Sequence, residues 1–474
     1  MATQLFSKAS FASRHILSSI IFLALLCLVT SCTAKPISPN NLQGRWLVEL
    51  EFASVGKVRT VFTFKTGQNT FEAYTRKNAD RDIMGNWKSL LARTFTRNFK
   101  NGSLIRIKDG SFEQKNDTLF WTGNMVSALG TNSVKGFVAN GNLYGQVHDA
   151  TGAVGRFSGA KTIVNQPIDN YPQLFNKALQ TTQQNIYNHD VFKTDGWITF
   201  EEKMKKVSVS AQDDVEFVFA FFYYSGKLPF SHYSLLPQPK PDFTKNDDEE
   251  ELHTMTLEEK TPETAYLKIE SFSGGTPEVD SLFRIIERKN YKNLIVDLRN
   301  NPGGSNEAGM AFAAHLTDSA LYGGILLTQK YFNTHNGLPT ISDYQKFQQF
   351  TDANFNLLME GIHNTEGLCL KVIPAQYVYK GKLYLLTNKR TASTCEPIVY
   401  VLKQHNLATV VGERTAGAML NAEFFELDKR FTLMLPTADY YTPDGYRIDQ
   451  NGVVPSIETK PEEALDHAMK NMVK

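Results

Sequence analysis

Apolar and polar side chains alternate through the first part of the chain. Val58, Thr60, Phe62 and Phe64 recur at every second position, the period of a half-buried strand. Shorter runs at Leu104 to Ile107, Leu119 to Trp121, Val134 to Ala139 and Leu143 to Val147 predict further strands. Asp109-Gly110 and Asn140-Gly141 read as turns, the second as a tight hairpin, because both central positions of such a turn need positive φ. Residues 42–163 therefore predict a small all-β domain, a barrel or a sandwich. Its opening Gly44-Arg45-Trp46 faintly resembles the first strand of lipocalin-like barrels.

The pattern changes after Pro167. Tyr171 to Tyr187 and Asp213 to Tyr224 carry apolar residues at helical spacing and predict a helical segment over 164–240. The charged run Asp247 to Glu251 predicts an exposed loop. Strands and helices then alternate over 241–474. Tyr266 to Ile269, Leu294 to Leu298, Leu383 to Thr387 and Thr409 to Val411 read as strands. The stripe Val279, Leu282, Phe283, Ile286 reads as a helix, as do Ala308 to Leu316 and Glu396 to Gln404. Alternation of this kind predicts an α/β core.

The extreme N-terminus has another character. Lys8, Arg14 and His15 precede an apolar run from Ile16 to Val29, too short for a comfortable membrane span and suited to a signal peptide. It ends in Val29-Thr30-Ser31-Cys32. Small residues before a cysteine resemble a bacterial lipobox, which implies cleavage after residue 31, lipidation of Cys32 and a tether over 32–41. The expected location is the cell envelope, with the chain held to a membrane by lipid. An ordinary cleavable signal with an incidental cysteine is the plainer alternative.

Composition removes several functions. The 474 residues carry a net charge of +1, so no global field favours nucleic acid, and no phosphate-cradling glycine loop occurs. Ten histidines and four cysteines are scattered without metal-ligand spacing, and no metal or cofactor is expected. Cys27 leaves with the signal, so only Cys369 and Cys395 remain beyond Cys32. An oxidising compartment would permit a disulfide between them, but spacing alone does not bring them together.

Four segments carry candidate chemistry. Ile295-Val296-Asp297-Leu298-Arg299-Asn300-Asn301-Pro302-Gly303-Gly304 runs from a buried strand into paired glycines. Such glycines let backbone N–H groups face a ligand, although most are simple turns. Thr391-Ala392-Ser393-Thr394-Cys395-Glu396 lies between a strand and a helix. A serine there is commonly an N-cap, yet the same place suits a nucleophile beside the positive helix end. Leu228-Pro229-Phe230-Ser231-His232 holds a histidine that has a structural reading of its own. Arg447-Ile448-Asp449-Gln450-Asn451-Gly452-Val453-Val454-Pro455 holds an aspartate that could merely cap a turn.

In this order, the segments resemble the tail-specific (C-terminal processing) serine peptidase family, which also contains the tricorn core protease and the interphotoreceptor retinoid-binding proteins. Asp-Leu-Arg-Asn-Asn-Pro-Gly-Gly is similar to its signature. Thr-Ala-Ser-Thr-Cys-Glu followed by Gly412-Glu413-Arg414-Thr415-Ala416-Gly417 resembles its nucleophile and following turn, and Gly-Val-Val-Pro its close. The likeness runs from about Tyr171 to Ile457. It implies a crotonase/ClpP-like ββα core with a helical cap. Two departures are evident. The lysine of a Ser-Lys dyad is missing from Ala418-Met419-Leu420-Asn421, and the stretch between His232 and Ala265 is too short for a PDZ domain. The tricorn-like branch uses Ser, His, a second Ser and Glu instead. Its pattern maps onto Ser393, His232, Ser231 and Asp449, a shorter carboxylate.

The resemblance implies a serine-type endopeptidase that cleaves peptide or protein substrates through an acyl-enzyme. Ser393 would be the nucleophile and His232 the base, with Ser231 and Asp449 orienting the ring. Gly303 or Gly304 N–H, with Thr394 N–H, would form the oxyanion hole. Glu396 would serve the first helical turn, and Cys395 is the competing nucleophile. The alternative is a non-catalytic ligand- or peptide-binding lipoprotein on the same scaffold, since a fold can outlive its chemistry.

Overall fold

The computed structural model describes residues 41–472 except 53–54, 96–98, 129, 164, 239–253 and 352–353. The signal segment, Cys32 and the run Asp247 to Glu251 lie outside the described residues. The chain forms two compact units. Of the described residues, one comprises those up to Val48, Val61–Thr75 and Ile105–Ile163; the other comprises those of Glu49–Thr60, of Arg76–Leu104 and beyond residue 164.

The alternating segments close into a barrel. Strands β1 (Gly44–Phe52), β2 (Gly56–Thr66), β3 (Thr70–Tyr74), β4 (Ile105–Lys115), β5 (Thr118–Ser127), β6 (Gly130–Ala139), β7 (Asn142–Asp149) and β8 (Gly152–Lys161) follow one another in chain order. Closure removes the exposed edges that a sandwich would keep. In β2 the side chains of Val58, Thr60, Phe62 and Phe64 are buried and those between them are not. Aromatic rings fill the interior: Phe71 meets Trp121 at 5.8 Å between centroids, and Trp121 meets Phe157 at 5.5 Å. The barrel therefore has a packed core, as small barrels do.

Asn140 and Gly141 both have positive φ, 50° and 76°, and join β6 to β7 as the tight hairpin. Asp109-Gly110 is corrected: it lies inside β4, where the pairing shifts between Lys108 and Ser111. Asp109, at φ 53°, makes a bulge there, because a turn residue in the left-handed region can equally absorb one extra residue in a ladder. Two helices, Ala79–Met84 and Asn86–Phe95, interrupt the strands between β3 and β4.

The helical segment comprises Tyr171–Asn185, Asp195–Ser210 and Asp214–Ser225, with Asn170, Thr194 and Asp213 as side-chain N-caps. The α/β part holds two sheets. The first orders β10 (Met255–Thr261), β11 (Thr264–Ile269), β12 (Asn293–Asp297), β16 (Lys382–Thr387), β17 (Thr409–Gly412) and β20 (Ile457–Glu458), parallel except for β10. Leu294, Ile295 and Val296 are completely buried, as expected for a strand covered on both faces. The second orders β14 (Gln348–Phe350), β15 (Gly367–Val372), β13 (Leu321–Thr328), β19 (Phe431–Tyr441) and β18 (Leu420–Glu426), with β9 (Ser234–Pro237) also paired to β19. The loops leaving the carboxyl ends of the adjacent parallel strands β12 and β16 lie side by side. That is where open α/β sheets place their ligands.

Candidate active site

The two loops are stitched together by amide groups. Asn300 N donates to Asn388 Oδ1 at 3.0 Å, and Asn388 Nδ2 returns a bond to Asn300 Oδ1 at 2.9 Å. Ala392 N reaches Asn301 O at 3.0 Å, and Thr391 Oγ1 reaches Leu298 O at 2.8 Å. The Asp297 carboxylate holds Arg299 Nε at 2.8 Å and Tyr266 OH at 2.6 Å. The Asp-Leu-Arg part of the motif thus braces the loop, and the amides after it set its path.

Ser393 sits at the turn between β16 and the helix Cys395–Gln404. Its φ is 54°, a strained value for a residue with a Cβ. The helix N-cap is Thr394, so Ser393 is not spent on capping. Its N–H bonds Ala418 O and Glu396 Oε2, each at 3.1 Å. Among the described residues its hydroxyl has no hydrogen-bond partner. Gly303 packs against it: a Cβ on Gly303 would stand 2.6 Å from Ser393 Cβ, and φ is 99° there, so only glycine fits.

The paired glycines differ in what they offer. Gly303 N–H is already bound to Asn301 Oδ1 at 2.8 Å. Gly304 is exposed, and its bridge to Phe272 uses Gly303 O and Ser305 N–H. The Gly304 and Thr394 N–H groups have no partner among the described residues.

His232 follows the helix Asp214–Ser225 and precedes β9. It too has positive φ, 58°. Ser231 Oγ lies 2.6 Å from His232 Nδ1 and donates to Asp449 Oδ1 at 2.5 Å. Because the serine hydrogen goes to the carboxylate, its oxygen must accept from Nδ1–H. The neutral ring then keeps its lone pair on Nε2. Burial pushes the His232 pKa below its usual 6.5, and Asp449 partly offsets this.

Asp449 is fully buried and does not cap its own turn. It also accepts Ser231 N–H at 3.2 Å and Met419 N–H at 3.1 Å. Segment 417–419 therefore ties the site together: Ala418 O takes Ser393 N–H while the next residue's N–H holds Asp449. No hydrogen bond joins Ser393 Oγ to His232; such bonds often tighten only around substrate.

Glu396 does more than serve its helical turn. Its carboxylate also accepts Thr415 Oγ1 at 2.6 Å and the N–H groups of Gly417 and Ala418, both at 2.8 Å. It fixes the turn that faces Ser393. Burial pushes its pKa up against the pull of these donors. Arg447, which lies against Asp449 at 3.4 Å, was also absent from the sequence-derived site. An arginine two residues from an acid in a loop gives no hint of its partner.

Cys395 and Cys369 are buried free thiols. Burial raises the Cys395 pKa well above the ordinary thiol range, which disfavours the thiolate needed for attack. Beside the Ser393 turn, a small apolar hollow is lined by Gly309, Met310, Leu370, Thr394, Val401 and Met419.

Comparison with known proteins agrees with the motif order. The model for "Peptidase family S41" matches residues 263–459. The carboxyl-terminal-processing protease of Picosynechococcus is 26% identical over 215 residues, covering 45% of this chain and 43% of that protein. The chloroplastic carboxyl-terminal-processing peptidase 2 of Arabidopsis thaliana is 28% identical over 196 residues, covering 41% and 32%. The chain thus spans less than half the length of these relatives. Among solved structures, a putative peptidase from Parabacteroides merdae aligns over 65% of this chain and 98% of its own, at 15% identity and a TM-score of 0.46. Over residues 263–459 this chain is therefore similar to peptidase family S41.

Proposed function

We propose that this protein is a serine endopeptidase of the cell envelope that cleaves peptide or protein substrates through an acyl-enzyme on Ser393. The observation that carries this reading is the hydrogen-bonded series Asp449, Ser231, His232, whose geometry leaves Nε2 unprotonated. In the proposed mechanism His232 Nε2 takes the Ser393 proton as Oγ attacks the carbonyl carbon, and later gives it to the leaving amine. Asp449 stabilises the imidazolium through Ser231. Gly304 and Thr394 N–H receive the oxyanion, and the strained turn at Ser393 holds the hydroxyl clear of other partners. Water then hydrolyses the ester with His232 as base again. The apolar hollow beside Thr394 suits an uncharged substrate side chain.

Labelling of the full chain by a fluorophosphonate tests the reading. Ser393 should be modified in the wild type and unmodified in Ser393→Ala. That no hydrogen bond joins Ser393 Oγ to His232 is the one observation that favours a non-catalytic peptide-binding protein instead, and absence of labelling in folded wild type would overturn the peptidase reading. The proposed lipid anchor rests on the Val-Thr-Ser-Cys ending of the apolar run. Cys32→Ser should leave the precursor unprocessed or release the protein from membranes. Wild-type fractionation of the mutant would remove the anchor from the proposal.

A further inference from the structure

Asp449 shares its pocket with a second buried carboxylate. Asp439, in β19, is 3% exposed and Asp449 is 0% exposed, and one guanidinium lies between them. Arg447 Nε stands 2.9 and 3.2 Å from the Asp439 oxygens, and Nη2 stands 3.4 Å from Asp449 Oδ2. Nη2 also lies 3.3 Å from the hydroxyl of Tyr187, which belongs to the helical segment. Asp439 further accepts Tyr440 N–H at 3.0 Å and Tyr441 OH at 3.1 Å. The titratable groups facing this cluster, across all elements described, are Tyr187, His232, Asp439, Tyr441, Arg447 and Asp449.

The same guanidinium faces both buried carboxylates, so the charge next to the Ser231–His232 pair is set by all three groups together. We propose that Arg447, balanced by Asp439, is a positioning residue that sets the charge beside Asp449 and thereby the pH at which His232 takes up its proton. Arg447 makes no hydrogen bond to Ser393 among the described residues, and it acts through Asp449 and Ser231. Burial pushes the Asp439 carboxyl up to about 6 even with Arg447 beside it. The catalytic meaning of this inference rests on the peptidase reading; the electrostatic claim does not.

The experiment uses the full chain with isotope-labelled histidine. It follows the His232 ring by NMR against pH, and the rate of fluorophosphonate labelling in parallel. Arg447→Gln removes a positive charge near the ring. It should raise the His232 titration by on the order of one pH unit, and labelling on the acid limb should fall about tenfold. Asp439→Asn alone should lower the titration. Adding Asp439→Asn to Arg447→Gln should bring the ring back toward wild type and restore labelling. A purely structural role for Arg447 would instead make the two losses add. Arg447→Lys keeps the charge and should hold the ring near its wild-type titration. If Arg447→Gln does not fold, Asp439→Asn and Arg447→Lys still decide the matter. An unmoved ring in Asp439→Asn, or no reversal in the double variant, overturns the proposal. Wild-type protein that shows the expected ring order but no labelling upholds it and overturns the peptidase reading instead.

Discussion

Replacing Asp449 by asparagine changes one atom and tests the whole relay. The two carboxylate oxygens are both in use. Oδ1 takes Ser231 Oγ–H and Met419 N–H, and Oδ2 takes Ser231 N–H and faces Arg447. An asparagine must put its NH2 at one of these places, where donors already point. With NH2 at the Oδ1 place, the Ser231 hydroxyl has to reverse, accepting from the amide and donating to His232 Nδ1. The ring proton is then forced onto Nε2, and the lone pair that would take the Ser393 proton is gone. With NH2 at the Oδ2 place, it meets the Ser231 N–H and a guanidinium. Either arrangement loses two charge-assisted bonds at about 1.5–3 kcal/mol each. The expected loss is therefore roughly 3–6 kcal/mol, or about 10²–10⁴-fold in kcat/KM at about 1.36 kcal/mol per tenfold. His232→Ala should cost about as much as Ser393→Ala, because members of such a unit fail together, and Asp449→Asn should cost less than either. The assay is the second-order rate of fluorophosphonate labelling, with peptide hydrolysis alongside and thermal melting to establish folding. A folded Asp449→Asn protein within threefold of wild type would refute the relay.

Two further expectations follow from the same geometry. In the proposed mechanism the neutral His232 ring is the active form, and burial lowers its pKa, so the acid limb of the pH–rate profile should fall below the ordinary histidine value of 6.5; a limb above pH 7, or one unchanged in His232→Ala, would contradict this assignment of the base. Gly303→Ala places a methyl carbon 2.6 Å from Ser393 Cβ at φ 99°, so labelling should drop by roughly 10²-fold or more, in line with the cost of disturbing an oxyanion site, and wild-type labelling of a folded Gly303→Ala protein would show that the turn is not held as described.

Much of this was legible in the residues because it is local. Period-two alternation at Val58 to Phe64 specified a strand, and continuous burial at Leu294 to Val296 specified a covered one, since each depends only on which side a residue faces. The pair Asn140-Gly141 specified its turn through backbone preference. Asp109-Gly110 has the same chemistry and makes a bulge, because only pairing on both sides of β4 decides whether a left-handed residue ends a strand or kinks it. The motif order pointed to Ser231, His232, Ser393 and Asp449 as one group, although 218 residues separate Ser231 from Asp449. Their hydrogen bonds, and hence the ring tautomer, exist only where β9, β18 and β19 bring the loops together. The same holds for Gly303 and Gly304, equivalent in the sequence but distinguished by Asn301, and for Arg447, whose two acidic partners meet only in the buried pocket. Local preference is written residue by residue. Charge balance and hydrogen-bond direction belong to groups distant in the chain, and they are decided only when burial forces those groups to share one space.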